Sequence, residues 1–169
     1  MEMLKAAQEW AKAEVFSTRF FIIFAMLFLA ASVGFWQLGK TELAKAYIIP
    51  MLVAGVLLLT IGLGLFFTNK ARVTQFEKAY HQDTPAFVSS EMTRIESTLK
   101  EYTIVFKVVP TIIALAALAI VFTNTPTWRA IGITTIAMLI VILLVDGTAH
   151  ARIEVYQKEL KVLSNQGGN

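Results

Sequence analysis

The 169-residue chain has no cysteine, which excludes disulfides, thiolate metal sites and cysteine nucleophiles and leaves no thiol to palmitoylate. Histidine is nearly absent too, with only His81 and His150, and charged residues make up just 16% of the chain. So little charge is a poor fit to a soluble domain, since 56% of the residues are hydrophobic and the mean hydropathy is +0.63. Membrane is the class to which such a composition points. The usual marks of catalysis are also missing: no Gly-rich phosphate loop, no G-x-S-x-G, no H-E-x-x-H and no Ser/His/Asp grouping. Neither an enzyme nor a bound cofactor or metal is expected. The net charge of +3 is no nucleic-acid footprint, because acidic residues are interleaved with the basic ones throughout.

What the chain does have is four apolar segments, expected to span at about 20–38, 46–67, 103–123 and 129–148. A hydrocarbon core of ~30 Å needs roughly 20 helical residues. The stretch before the first segment carries Glu2, Glu9 and Glu14, too acidic and too long for a signal-peptide n-region, so that segment is read as a retained helix. Basic residues set the orientation. Lys5, Lys12 and Arg19 precede the first span, Lys70, Arg72, Lys78, Arg94, Lys100 and Lys107 lie between the second and third, and Arg152, Lys158 and Lys161 follow the fourth. The other side has only Lys40, Lys45 and Arg129, so both termini and the long middle segment are expected in the cytoplasm of a bacterial inner-membrane protein. Trp36, Tyr47 and Trp128 mark the outer interface, and Phe66, Phe67 and Tyr102 the inner one.

The polar parts keep helical period and read as continuations of the spans. Val88, Met92, Ile95, Leu99 and Tyr102 are spaced 4-3-4-3, Ile153, Tyr156, Leu160 and Leu163 continue the fourth span, and a weaker stripe of Met3, Ala7, Trp10 and Val15 precedes the first. Turn residues fall around Gly39, at Asp83-Thr84-Pro85 and at 123–126, with Thr84 and Thr127 as expected N-caps. The fold class is therefore all-α integral membrane: four long helices in an up-down-up-down bundle, half transmembrane and half cytoplasmic. Residues 1–82 form the first helical hairpin and 84–165 the second, followed by a flexible tail at 166–169. Pro110 lies inside the third helix and is expected to kink it.

The hairpins resemble each other. Thr68, Ala71, Arg72, Val73, Phe76 and Lys78 recur eighty residues later as Thr148, Ala151, Arg152, Ile153, Tyr156 and Lys158. A tandem repeat of two hairpins accounts for this, and so does convergence of two amphipathic membrane exits. The halves differ where Phe66 and Lys70 correspond to Asp146 and His150.

That difference points to the candidate polar residues. In an antiparallel hairpin turning near 126 and 127, residues at equal depth have numbers summing to about 253. Lys107 and Asp146 meet this condition as an ion pair at the membrane edge, as do Glu101 and Arg152, and Lys100 and Glu154 nearly do. Such a ladder could set helix register, or Lys107 and Asp146 could belong to an ion path. Asp146, His150 and Glu154 also share one helical face, where ion pairing in water is favoured over metal binding. Phe21, Phe28 and Phe35 form a ridge that faces lipid, bundle core or another subunit, and glycines such as Gly55 and Gly62 permit close helix contact.

Two functions follow as expectations. The first is a non-enzymatic scaffold, regulatory or immunity-type subunit acting through its cytoplasmic helices. The alternative is a homo-oligomeric ion channel or ion-coupled transporter using Lys107 and Asp146. The expected partners are the lipid bilayer and either a second copy or another protein held by the cytoplasmic helices.

Overall fold

The computed structural model describes residues 1–166, and among these there is no strand. Four helices are long: α1 (Glu2–Leu38), α3 (Ile48–Gln82), α4 (Thr84–Phe122) and α5 (Pro126–Gln166). A short α2 (Glu42–Ala46) sits between the first two of them. Each long helix holds a stretch long and apolar enough to cross a membrane. Their 35 to 41 residues correspond to lengths of about 52 to 62 Å. Apart from Gln166, the tail expected at 166–169 lies outside the described residues.

The helix ends follow local chemistry, with two departures from expectation. Asp83, not Thr84, caps α4: its backbone is extended (φ −157°, ψ 98°) and its Oδ1 accepts the Ala86 N–H at 2.9 Å. Thr84 is already helical and donates backward to the Tyr80 carbonyl at 2.9 Å. α5 starts at Pro126, whose ring suits a first helical position, so Thr127 lies inside the helix and does not cap it. α2 has its own cap, Thr41, whose Oγ1 accepts the Ala44 N–H at 3.1 Å. α4 runs on through Pro110 as one helix.

α1 is the central element, in contact with both α3 and α5. Its buried residues include Ala7, Ala11, Glu14, Thr18, Phe21, Ala25, Phe28 and Ser32, an unbroken alternation of four- and three-residue steps. That is the coiled-coil seam spacing, and it runs from the polar end of the bundle into the apolar end. It reassigns the N-terminal stripe, because Glu14 is buried in place of the expected Val15.

Two cores form along this seam. In the polar half, Trp10, Phe76, Phe87, Ile95, Ile153, Tyr156 and Leu160 draw on all four long helices. Trp10 stacks on Tyr156 with centroids 5.4 Å apart, and Phe87 meets Phe76 and Tyr80 edge-on near the α3–α4 turn. In the apolar half, Phe21, Ala25, Phe28, Ala54, Leu58, Val141 and Val145 come from α1, α3 and α5 alone. Phe21 and Phe28 thus belong to the bundle core, while Phe35 stacks on Tyr47 at 5.1 Å.

Glycine sets the spacing of the apolar half within one chain. A Cβ at Gly62 would lie 2.9 Å from Phe21 Cβ and 3.1 Å from the Ile22 backbone nitrogen, and one at Gly55 would meet Leu29 at 2.7 Å. α3 can therefore approach α1 more closely than side chains would permit. Gly132 does the same between α5 and α4, where its Cβ would be 2.6 Å from Ile120. Elsewhere the apolar part of α4 is uncovered, with Ile104, Leu115 and Leu118 more than half exposed.

Candidate functional site

Where the polar core gives way to the apolar one, the four long helices enclose a cavity of about 290 Å³. The α1 residues on its wall are buried (Trp10, Glu14, Ser17, Thr18 and Phe21), as are Val145 and Ala149 of α5. The exposed wall residues are Leu65 on α3 and Glu101 on α4. With Asn69 of α3 also buried, the cavity has its floor on α1, α5 and that residue, and its mouth between Leu65 and Glu101.

Its charged groups are arranged in sets. Glu14, only 8% exposed, accepts from Arg152 Nε at 3.1 Å, which ties the first helix to the last. On the polar side, Arg94 grips Glu91 with two bonds, Nε to Oε1 at 2.9 Å and Nη2 to Oε2 at 2.7 Å. The Tyr156 hydroxyl donates to the same Glu91 Oε2 at 3.2 Å. The Arg94 guanidinium also lies over the Trp10 ring, 4.3 Å from its centroid, so aromatic face and carboxylate hold one cation together. Glu91 is 5% exposed and would be costly there unpaired. Arg72 donates from Nη1 to Asn69 Oδ1 at 2.7 Å and lies 5.8 Å from the Trp10 centroid.

These surroundings shift proton affinities. Burial, and then the Arg94 charge, lowers the Arg72 pKa against the opposing pull of Glu91 and Glu14. Burial followed by the Glu91 charge raises Tyr156 well above the ordinary phenol range, so it stays a neutral donor. Tyr102 is raised by burial and then by the negative charges of Glu14 and Asp146.

Besides Glu101 at the exposed mouth, two half-buried charges of opposite sign on the wall are left over. Glu14 is taken by Arg152 and Arg94 by Glu91. Among the described residues Asp146 has no ion-pair partner within 4.0 Å, and neither does Arg72. Ser17, 5% exposed, also lines the cavity and makes no hydrogen bond to another described group. Trp10 Nε1 and Arg152 Nη2 are buried without partners among the described residues.

The expected charge ladder between α4 and α5 does not form. Lys107 is exposed on α4, while Asp146 turns to the cavity, so the two do not pair. Arg152 binds Glu14 of α1, leaving Glu101 at the mouth, and Glu154 sits 3.9 Å from His150 on its own helix, leaving Lys100 exposed. Equal depth in a hairpin does not fix rotation about the helix axis. At this level α4 presents Tyr102 and Phe106 to α5, and both rings meet His150 edge-on at 5.5 Å. One residue of helix is about 100° of turn, which moves Lys107 off the contact face. Asp146, His150 and Glu154 likewise do not converge, because Asp146 lines the cavity and His150 does not.

The residues that build the site beyond those expected are Trp10, Glu14, Ser17, Asn69, Arg72, Glu91 and Arg94. A signal for three of them is present in the chain. Glu14 sits on the 7-14-21-28 spacing with Ala7, Phe21 and Phe28, Asn69 between Gly62 and Phe76 at steps of seven, and Glu91 between Phe87 and Ile95 at steps of four. A polar residue holding a seam position is the mark of a buried polar contact.

No family model matches this chain, and comparison with curated proteins and with solved structures gives no match either.

Proposed function

We propose that the chain is a non-enzymatic, multi-pass protein of the bacterial inner membrane, with both termini and the α3–α4 turn in the cytoplasm, acting as a scaffold, regulatory or immunity-type subunit through its polar half. The observation that carries this reading is the separate core around Trp10 and Tyr156. Spanning alone needs roughly 20 residues per helix, and each helix here is nearly twice that long. The added length makes a folded four-helix module, which is what a rigid platform for a partner requires. A photo-crosslinking residue placed in living cells at exposed Glu77, Glu96 or Lys158 should trap one discrete partner. Positions such as Leu115 should trap lipid or a second copy instead. If no position on the polar half gives a discrete adduct, the platform reading fails.

The cavity favours a second reading, an ion-coupled transporter or homo-oligomeric channel. Its support is Asp146, which has no ion-pair partner among the described residues and lines, with Glu14, a cavity that all four long helices reach. On this reading Asp146 and Glu14 carry the coupling, with Lys107 outside it. Ion flux into liposomes that falls on Asp146→Asn would favour it over the platform, whereas absence of any flux would remove it. Under either reading the shared Arg72 and Arg152 positions are the inner anchors of a tandem repeat of two hairpins.

A further inference from the structure

We propose that the cavity between the two halves binds a short zwitterion, an ammonium and a phosphate or carboxylate a few bonds apart, with phosphoethanolamine as its type. Asp146 receives the ammonium and Arg72 the oxyanion. Away from the exposed Glu101 at the mouth, the other charges of the wall are committed: Glu14 to Arg152 at 3.1 Å and Arg94 to Glu91 at 2.7 Å. Asp146 accepts only and Arg72 donates only, and they are opposite in sign. A simple cation would share the cavity with the Arg72 guanidinium, which has no ion-pair partner among the described residues. A simple anion would face Asp146, Glu14 and Glu101. A zwitterion satisfies the two half-buried charges at once, with charge-assisted hydrogen bonds at each end, and leaves Glu101 to solvent at the mouth.

Ser17 gives the independent sign of a ligand. Its hydroxyl belongs to a residue only 5% exposed, on the cavity wall, with no protein partner among the described residues. Size also agrees. The cavity of about 290 Å³ holds on the order of ten water volumes at ~30 Å³ each, enough for a molecule of about eight non-hydrogen atoms.

The mouth between Leu65 and Glu101 lies where the apolar stretch of α3 ends and that of α4 begins. With the membrane placement proposed above, on which this step alone rests, that is the level of lipid headgroups. The same chemistry can therefore arrive dissolved, as free phosphoethanolamine, or sideways between α3 and α4, as the headgroup of phosphatidylethanolamine.

The test uses the full chain with exposed Trp36 and Trp128 changed to Phe, leaving Trp10 on the cavity wall as the sole indole reporter. In detergent, phosphoethanolamine should shift Trp10 emission saturably, and ethanolamine or inorganic phosphate alone should not. Asp146→Asn and Arg72→Gln should each weaken the response about tenfold or more. Nanodiscs of phosphatidylethanolamine should reproduce the shift, relative to phosphatidylglycerol, if the headgroup is the source. A response in that arm alone, lost in both variants, assigns the site to lipid; a response in detergent alone assigns it to a dissolved zwitterion. If Arg72→Gln loses its helical circular dichroism, the comparison of the three dissolved compounds on the parent protein decides. Binding in detergent by a chain that does not enter nanodiscs keeps the site and removes the membrane placement. Equal response to ethanolamine or phosphate alone, indifference to both substitutions, or silence in both arms overturns the proposal.

Discussion

The polar and apolar halves share the α1 seam but differ in how many helices cover it. In the polar half α4 supplies Phe87 and Ile95 to a four-helix core, whereas the core of the apolar half takes nothing from α4. There α4 leans on α5 alone, drawn close at Gly132, and leaves a broad apolar face exposed. The means of cohesion differ as well. Stacked aromatics and the Tyr156 hydroxyl bonded to Glu91 hold the polar half, and glycine-permitted backbone approach holds the apolar one. The change of partners explains the cavity. Where α4 leaves the central bundle a gap opens beside α3, and the polar side chains of the seam line it.

The polar half depends most on Trp10. Trp10→Ala should cost about 3 to 5 kcal/mol, since it removes a large buried ring together with its stacking on Tyr156 and its contact with Arg94. Hydrogen exchange should show faster opening of amides in 73–97 with little change in 51–63. Equal loss in both regions would mean that the halves unfold as one unit. Glu91→Ala should follow at about 2 to 3 kcal/mol, because it strands the Arg94 guanidinium and the Tyr156 hydroxyl together. Arg94 is one-fifth exposed and can turn partly to water, which keeps the effect below that of a fully buried orphan. Adding Arg94→Met should restore part of the loss in a double-mutant cycle.

The apolar half is probed by its glycines. Gly62→Val should cost about 1 to 3 kcal/mol, because its first carbon already meets Phe21 Cβ at 2.9 Å and the Ile22 backbone at 3.1 Å. A Cβ at Gly64 would meet only open space, so Gly64→Ala should be neutral or gain up to about 1 kcal/mol from helix propensity. Thermal unfolding in one detergent compares the two directly. Equal losses would mean that the α1–α3 approach does not hold this half together.

Much of this architecture is legible in the residues. Apolar runs and their helical continuations announce four long helices, and turn chemistry at 39–42, 83–85 and 123–126 marks their ends to within a few residues. The cavity is less legible because its contacts are long-range. Glu14 meets Arg152 across 138 residues, and nothing local to either predicts the other. Glu14, Thr18 and Ser32 also interrupt the α1 seam, so its apolar residues alone fall into two separate stripes where the structure has one. Asp146 is recognisable as unusual within an apolar helix, but its partner face is not, since sequence spacing fixes height more firmly than rotation.

Lys107 offers the smallest expected effect and a sharp discrimination. It is exposed on α4, without an ion-pair partner among the described residues, while Asp146 faces the cavity on the other side of the α4–α5 contact. Lys107→Leu should therefore change stability by no more than about 0.5 kcal/mol in either direction. Were the two paired at the membrane edge, the same substitution would strand a partly buried carboxylate and cost about 3 to 5 kcal/mol. The two geometries thus predict effects several-fold apart for one change on an outer face. Thermal or denaturant unfolding of Lys107→Leu alone, and again in an Asp146→Asn background, separates them. An unpaired Lys107 gives the same small shift in both backgrounds, whereas a paired one loses most of its effect once the carboxylate is gone.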